Sequence, residues 1–488
     1  NKVARVTLLQ GPRMAAAAAQ DGAPRAPLRT KHLLRFAWAC AALGLIAVAV
    51  WLGTHNDDGR MGATLPIKEG VVQTLPVKWQ LAIDGVTVQP AATGNAKQLT
   101  ASGPIKQAST AKKEPATGDS VASAESRLFA VYEHMRLGER AHALVLAESL
   151  SNDYPNFQLG QLLYADLLAV SSNKPINLST LSPKTGTVST NLKVLLEESR
   201  LRLQAITEVP APGLLPANLL RLPKTTQNVI AVDTSRSRLY WFVNRAKPGE
   251  ALDLVLEKDL YITVGKNGVL KRVEGDGRTP LGVYFVSSKL PGEDLPDLYG
   301  RGALPINYPN ALDILRGKTG SGIWLHGTPA AQYVRAPLAS DGCVVMANPD
   351  ICTLMSQADI IGTPVVIAPS IDWVARDSLT EPRDRFRAVF DRWVALRANN
   401  DLGALRSTYS DTFFRRGKNL AHWWPTLKSE AVANVKISDL SIIHWKDDDD
   451  VMVVNYLEQI TPRGKLTRKR QYWRLEAGNW KIFYEGNA

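Results

Sequence analysis

The spacing of apolar residues changes three times along the chain, and no single core can satisfy all of it. Leu128, Val131, Tyr132 and Met135 fall at helical intervals, and Ala141, Leu144, Val145 and Leu150 resume the pattern after Gly138. From Val229 to Val264 the period shortens toward two: Val229–Val232, Leu239–Val243, Asp253–Leu256 and Leu260–Val264 read as strands, the first pair flanking a polar turn. Phe386, Val389, Phe390, Trp393 and Leu396 return to helical spacing, then Val435–Trp445, Val451–Ile460, Leu466–Leu475 and Trp480–Tyr484 alternate again. With 488 residues the chain has room for two or three cores.

Two stretches stand outside these cores. Residues 36–53 carry no charge, follow Arg25, Arg29, Lys31 and Arg35, and precede Asp57 and Asp58. Eighteen such residues span a bilayer as a helix, and the basic flank orients the N-terminus toward the cytoplasm. Residues 1–35 are then a cytoplasmic basic tail, 36–53 a transmembrane anchor and 54–122 a flexible linker rich in small residues. Ala47-Val48-Ala49 also offers the small-x-small pattern of signal-peptide cleavage.

Residues 123–207 are expected to form a helical region with one tetratricopeptide-like hairpin. Residues 226–369 form a β-rich domain, with Val209–Gly213 as a linker before it. Residues 383–488 form an α+β module of helices followed by a curved antiparallel sheet. The helical region and the C-terminal module are candidate surfaces for a protein partner or for self-association. The fold class is therefore multidomain.

Chemistry concentrates at His326-Gly327 and at Ser340-Asp341-Gly342-Cys343. A cysteine beside glycine, with histidine 17 residues earlier, supplies a thiol nucleophile and a base. Backbone N–H groups at Gly342 and Cys343 are candidate oxyanion donors, and Gly327 leaves backbone space beside the imidazole. Ser340 is placed near the thiol. Asp341, Tyr308 and Arg335 are candidate substrate contacts. Cys352, in a helix read over 349–358, is expected to be a core residue.

The three cysteines form no disulfide framework, and the seven histidines show no metal-ligand spacing, so no metal or cofactor is expected. The net charge of +12 suits anionic cell-wall polymers or lipid headgroups. No nucleic-acid module accompanies that charge, so no nucleic-acid partner is expected.

These motifs, with Gly275–Tyr284, Tyr299-Gly300, Asn307–Asn310 and Gly322–Leu325 in the same order, resemble the YkuD-type L,D-transpeptidases. The chain departs from the common pattern at Asp341 and Val345, where histidine and arginine are frequent. The resemblance implies a mostly-β, sandwich-like catalytic domain. It implies Cys343 as nucleophile and His326 as proton shuttle, acting on the third residue of a peptidoglycan tetrapeptide stem and releasing D-alanine. Such an enzyme would sit in a bacterial inner membrane as a single-pass protein with its catalytic part in the periplasm. The C-terminal module resembles the SnoaL-like, ketosteroid-isomerase-like cone. Transfer to an amine, transfer to water, cross-link hydrolysis and an inactive cell-wall-binding scaffold all remain open on these residues.

The topology reading is checked by a reporter fused after Asn56, expected to be active only outside the cytoplasm. Cytoplasmic activity would overturn it.

Overall fold

The computed structural model describes residues 123–172, 187–247, 250–430, 435–460 and 464–488. The anchor read over 36–53 and the linker over 54–122 lie outside them, and so does Cys40. Among the described residues no helix is long and apolar enough to cross a membrane. All of them fall in one compact unit.

Four helices open the described chain: α1 (Ala124–Arg136), α2 (Arg140–Asp153), α3 (Gln158–Ser171) and α4 (Thr187–Thr207). Ser123 caps α1 by accepting the Ser126 N–H at 3.1 Å, and Gly138 takes the left-handed turn that reverses the chain into α2. Leu128, Val131, Ala147, Leu150, Phe157 and Leu163 form a small core between the helices. Met135 and Val145, which share the same spacing, are exposed because only one narrow stripe of each helix meets its neighbour.

This helical layer is bound to the catalytic sheet by buried charge. Glu125 of α1 accepts from Arg202 of α4 at 2.6 Å and from Arg238 of the sheet at 2.8 Å. Arg202 also pairs with Glu198 at 2.9 Å and stacks 3.8 Å over the Tyr261 ring, while Arg238 pairs with Asp259 at 2.5 Å. A buried guanidinium that lost its carboxylate would be left uncompensated, so the cluster is mutually dependent.

The catalytic domain is built on a five-stranded sheet in the spatial order 254–261, 238–244, 228–233, 364–368, 282–285. The expected hairpin of 228–233 and 238–244 is present. Two expectations are corrected. Leu254–Tyr261 is one continuous strand rather than two, and the sheet is mixed, because Pro364–Ala368 runs parallel to Asn228–Asp233. A second sheet orders Val344–Val345, Trp324–His326, Gly302–Pro305 and Leu290–Pro291, with the first two strands parallel.

The C-terminal module contains helices Thr380–Ala398, Leu402–Ser407 and Leu420–Ser429 and four long antiparallel strands over 436–446, 450–459, 467–476 and 479–487. It is less separable than its sequence boundaries suggest. Leu219–Arg221, which precede the catalytic domain, add a fifth strand to this sheet beside Lys436–Lys446. The turn over 447–450, a run of four aspartates that sequence alone reads as solvated, receives Arg316, which bonds Asp447 at 2.5 and 2.7 Å and Asp449 at 2.7 Å. Arg470 lies 3.6 Å over Phe285, and buried residues from both modules join in one continuous core. Trp445 and Trp473 are buried there, and Trp423, Trp424 and Trp480 pack against its edge, so these tryptophans serve packing.

Glu125→Ala should destabilise the protein by about 1–3 kcal/mol, because Arg202 and Arg238 each lose one buried partner while keeping Glu198 and Asp259, measured as a urea unfolding midpoint. A change below about 1 kcal/mol would show that the charge cluster does not bind the layers.

Candidate active site

Strand pairing sets the segments that carry His326 and Cys343 side by side. Leu325 lies opposite Val344 and His326 opposite Val345 in parallel register. Cys343 comes one residue before that strand, with the Trp324 N–H against its sulfur, and Trp324 and His326 share one face of theirs. Tyr299 packs against both residues of that face, 4.7 Å from the Trp324 ring and edge-on to the His326 ring at 5.1 Å.

His326 is buried, and its Nδ1 lies 2.7 Å from the Gly327 carbonyl oxygen. That contact makes Nδ1 the protonated nitrogen and leaves the Nε2 lone pair free to accept a proton. Burial pulls the imidazole pKa down to about 4, so the ring is neutral over the physiological range. Cys343 is partly buried, and its Sγ lies 3.5 Å from the Gly322 carbonyl. Burial pushes the thiol up from its ordinary value, against the smaller opposing effect of the Trp324 N–H. The resting pair is thus neutral thiol and neutral imidazole, the arrangement for general-base activation rather than a preformed ion pair.

The loop carrying the thiol is held in shape by neighbours named in the sequence for other reasons. Ser340 Oγ donates to the Cys343 carbonyl at 2.7 Å and accepts the Gly342 N–H at 3.1 Å, so it closes the turn rather than touching the sulfur. Because Gly342 N–H is committed to Ser340, Cys343 N–H is left as the candidate oxyanion donor of the expected pair. Gly342 has φ of 123°, and a Cβ there would come 2.6 Å from the Arg278 carbonyl oxygen. Thr279 Oγ1 donates to the Gly342 carbonyl at 3.0 Å and accepts the Gly265 N–H at 2.9 Å, which gives the Thr-Pro motif its role under the thiol loop.

Other expectations are corrected. Gly327 is required by Asn348: a Cβ would fall 2.2 Å from Asn348 Oδ1, so the space it leaves is for that amide and not for the imidazole. Tyr308 does not line a groove; it is buried, with its hydroxyl on the Thr319 carbonyl at 3.1 Å. Asp341 is exposed and paired with Lys266 at 2.7 Å. Val345 is buried and bridged to Thr263, in a position that packing closes to a cation. Cys352 is exposed, because its helix, Asn348–Met355, turns Ile351, Leu354 and Met355 inward instead.

Sequence reading missed Asn348. Its Oδ1 accepts the N–H groups of Arg301 and Thr328 at 2.9 and 3.2 Å, and its Nδ2 donates to the Thr328 carbonyl at 2.9 Å, which fixes the chain leaving His326. It also missed the anchoring of the 327–342 loop on the helices. Tyr333 N–H bonds the Asn156 carbonyl at 3.1 Å, Asn156 Nδ2 bonds the Ala330 carbonyl at 3.2 Å, and the Tyr333 ring packs 5.2 Å from both Tyr154 and Phe157. Arg335, on the same loop, has its carbonyl held by Tyr261 OH and Thr263 Oγ1 at 3.1 and 3.0 Å. Away from this site, His134, Glu139 and His142 place ligand atoms within 4.8 Å of one another at the α1–α2 turn, a grouping their sequence scatter hides.

Residues 227–367 match the family model of the YkuD L,D-transpeptidase catalytic domain, and residues 385–486 match that of the Cds6 C-terminal NTF2-like domain. The chain thus carries a region matched by the L,D-transpeptidase catalytic-domain family, followed by one matched by an NTF2-like family. Among solved structures it is similar to Bd1075 of Bdellovibrio bacteriovorus, at 27% identity over 56% of this chain and 98% of that one, with a TM-score of 0.46. It is also similar to the helical cell shape determining protein Pgp2 of Campylobacter jejuni, at 20% identity over 55% and 96%, with a TM-score of 0.43. An L,D-transpeptidase from Mycobacterium smegmatis matches at 16% identity over 29% and 58%, with a TM-score of 0.18. No curated protein matches the chain.

Alkylation of Cys343 by iodoacetamide, followed peptide by peptide by mass spectrometry, should accelerate steadily with pH to beyond 9, about tenfold per unit. A plateau near neutral pH would reveal a standing thiolate–imidazolium pair and contradict the neutral resting state.

Proposed function

We propose that this protein is a membrane-tethered L,D-transpeptidase that cross-links peptidoglycan stem peptides outside the cytoplasm, with Cys343 as nucleophile and His326 as base. The observation that supports this reading is the parallel register of Trp324–His326 with Val344–Val345, which sets the segment ending in the imidazole alongside the one that follows the thiol. The uncharged run at 36–53 supports the tether, and the charge of +12 suits an anionic wall.

In the first half-reaction, His326 Nε2 takes the thiol proton as sulfur attacks the carbonyl carbon of the third stem residue. The Cys343 N–H steadies the oxyanion. The C–N bond then breaks, the imidazolium returns its proton to the departing amine of D-alanine, and the stem remains on sulfur as a thioester. In the second, an amine of another stem attacks the thioester, His326 receives the amine proton, and the proton returns to the expelled thiolate. Neutral histidine is needed at the start of both, so the reaction should fail as pH falls through about 4, where the buried imidazole protonates.

Incubation of the protein with purified disaccharide-tetrapeptides should give dimers lighter than two monomers by one molecule of free alanine, and Cys343→Ala should give none. His326→Ala should lose turnover by a factor of about 100 or more while its sulfur still labels slowly at high pH. Cys352→Ala should change neither. Dimers formed by Cys343→Ala would overturn the assignment, and exclusive release of free D-alanine and tripeptide would make water the acceptor.

A further inference from the structure

Between the helical layer and the loop joining His326 to Cys343 lies an open cavity of about 430 Å³. Val194 and Leu195 of α4 form one wall, Val334 and Ala339 of the loop form another, and Arg335 also lines it. Its one lining carboxylate, Glu198, is taken up by Arg202 at 2.9 Å. Gln158, Asn191 and Gln332 add neutral polar groups, so the cavity presents a mixed surface with a single cation among its lining residues.

That cation is free to bind an anion. The charges of Arg335 and Lys271 act on Cys343 against that of Asp341, which also acts on Arg335 but is itself paired with Lys266 at 2.7 Å. Lys271 is held by Asp276 at 2.9 Å and by the Val273 carbonyl at 3.1 Å. Among the described residues Arg335 makes no ion pair, and its guanidinium meets only the neutral Leu298 carbonyl at 3.4 Å. Its backbone does not share that freedom, since its carbonyl is doubly bonded and the loop is anchored through Tyr333. A half-buried guanidinium with no ion pair, carried on an anchored backbone beside a hollow that Val194, Leu195 and Val334 line in part, fits a carboxylate carried on a small apolar group.

We infer that Arg335 recognises the free C-terminal carboxylate of the peptide substrate and that the cavity receives the residue bearing it. This inference rests on the transpeptidase reading, in which the departing group is a single terminal amino acid. An enzyme that removes one terminal residue must distinguish a chain end from a chain interior. A carboxylate and its amide differ mainly in charge, so a cation is the group that separates them. Arg335 is in this sense a specificity residue: it reads the substrate's end and takes no part in proton transfer.

The test uses the full chain bearing Cys343→Ala, so that binding is read without turnover. Calorimetry compares a stem tetrapeptide with a free terminal carboxylate and the same peptide ending in a carboxamide. The acid should bind about tenfold or more tightly than the amide. Adding Arg335→Ala should bring the acid to the affinity of the amide and leave the amide within about twofold, and Arg335→Lys should restore part of the difference. Equal binding of acid and amide before Arg335 is changed would overturn the inference, as would a preference that survives Arg335→Ala. Neither outcome bears on whether Cys343 is the nucleophile, which the product assay decides separately.

Discussion

The constraint on which the rest of the structure depends is the parallel pairing of Trp324–His326 with Val344–Val345. Parallel neighbours cannot be joined by a tight turn, so the chain must leave the first strand, travel and return in the same direction. The intervening loop has to be long, and a long loop is a poor place to hold a thiol unless other parts of the molecule hold the loop. Three devices do so at three points. Asn348 ties its departure, Tyr333 ties its middle to the helices, and Ser340 with Thr279 ties its return.

The helical layer therefore belongs to the active site physically, although none of its residues is assigned chemistry. Its attachment runs through Glu125, Arg202 and Arg238, whose burial makes each partner costly to lose, and its contact with the loop runs through Asn156, Tyr154 and Phe157. The C-terminal module is joined comparably on another side of the catalytic sheet, through the borrowed strand Leu219–Arg221 and through Arg316. Residues before the catalytic domain complete the sheet after it, so the two modules cannot be cut apart at their sequence boundaries.

The sequence disclosed those features whose cause is local. His326, Gly342 and Cys343 could be singled out because an imidazole and a thiol beside glycine are recognised by residue type and near neighbours, and the structure sets their segments side by side. The strands at 228–244 and the long strands after 436 were legible because alternation persists over many residues. Leu219–Arg221 was not, since three residues carry no period and their partner lies more than 200 positions away. Asn348 was hidden for a similar reason: an asparagine at the start of a helix has a sufficient local explanation, and its tie to Thr328 exists only in three dimensions. Cys352 shows the opposite failure, a residue type often buried but placed on the outward side of its helix. The physical role of Gly327 could be read only once Asn348 was in place.

The central claim is that Cys343 carries the substrate's acyl group between donor and acceptor. The most direct measurement is to mix the protein with disaccharide-tetrapeptide, quench in acid within the first turnover, and map the added mass by peptide mass spectrometry. A disaccharide-tripeptide acyl group on the peptide containing Cys343, removed by hydroxylamine as a thioester should be, is the predicted result. Cross-linked product that accumulates with no acyl adduct on Cys343, or with the adduct on another residue, would contradict it.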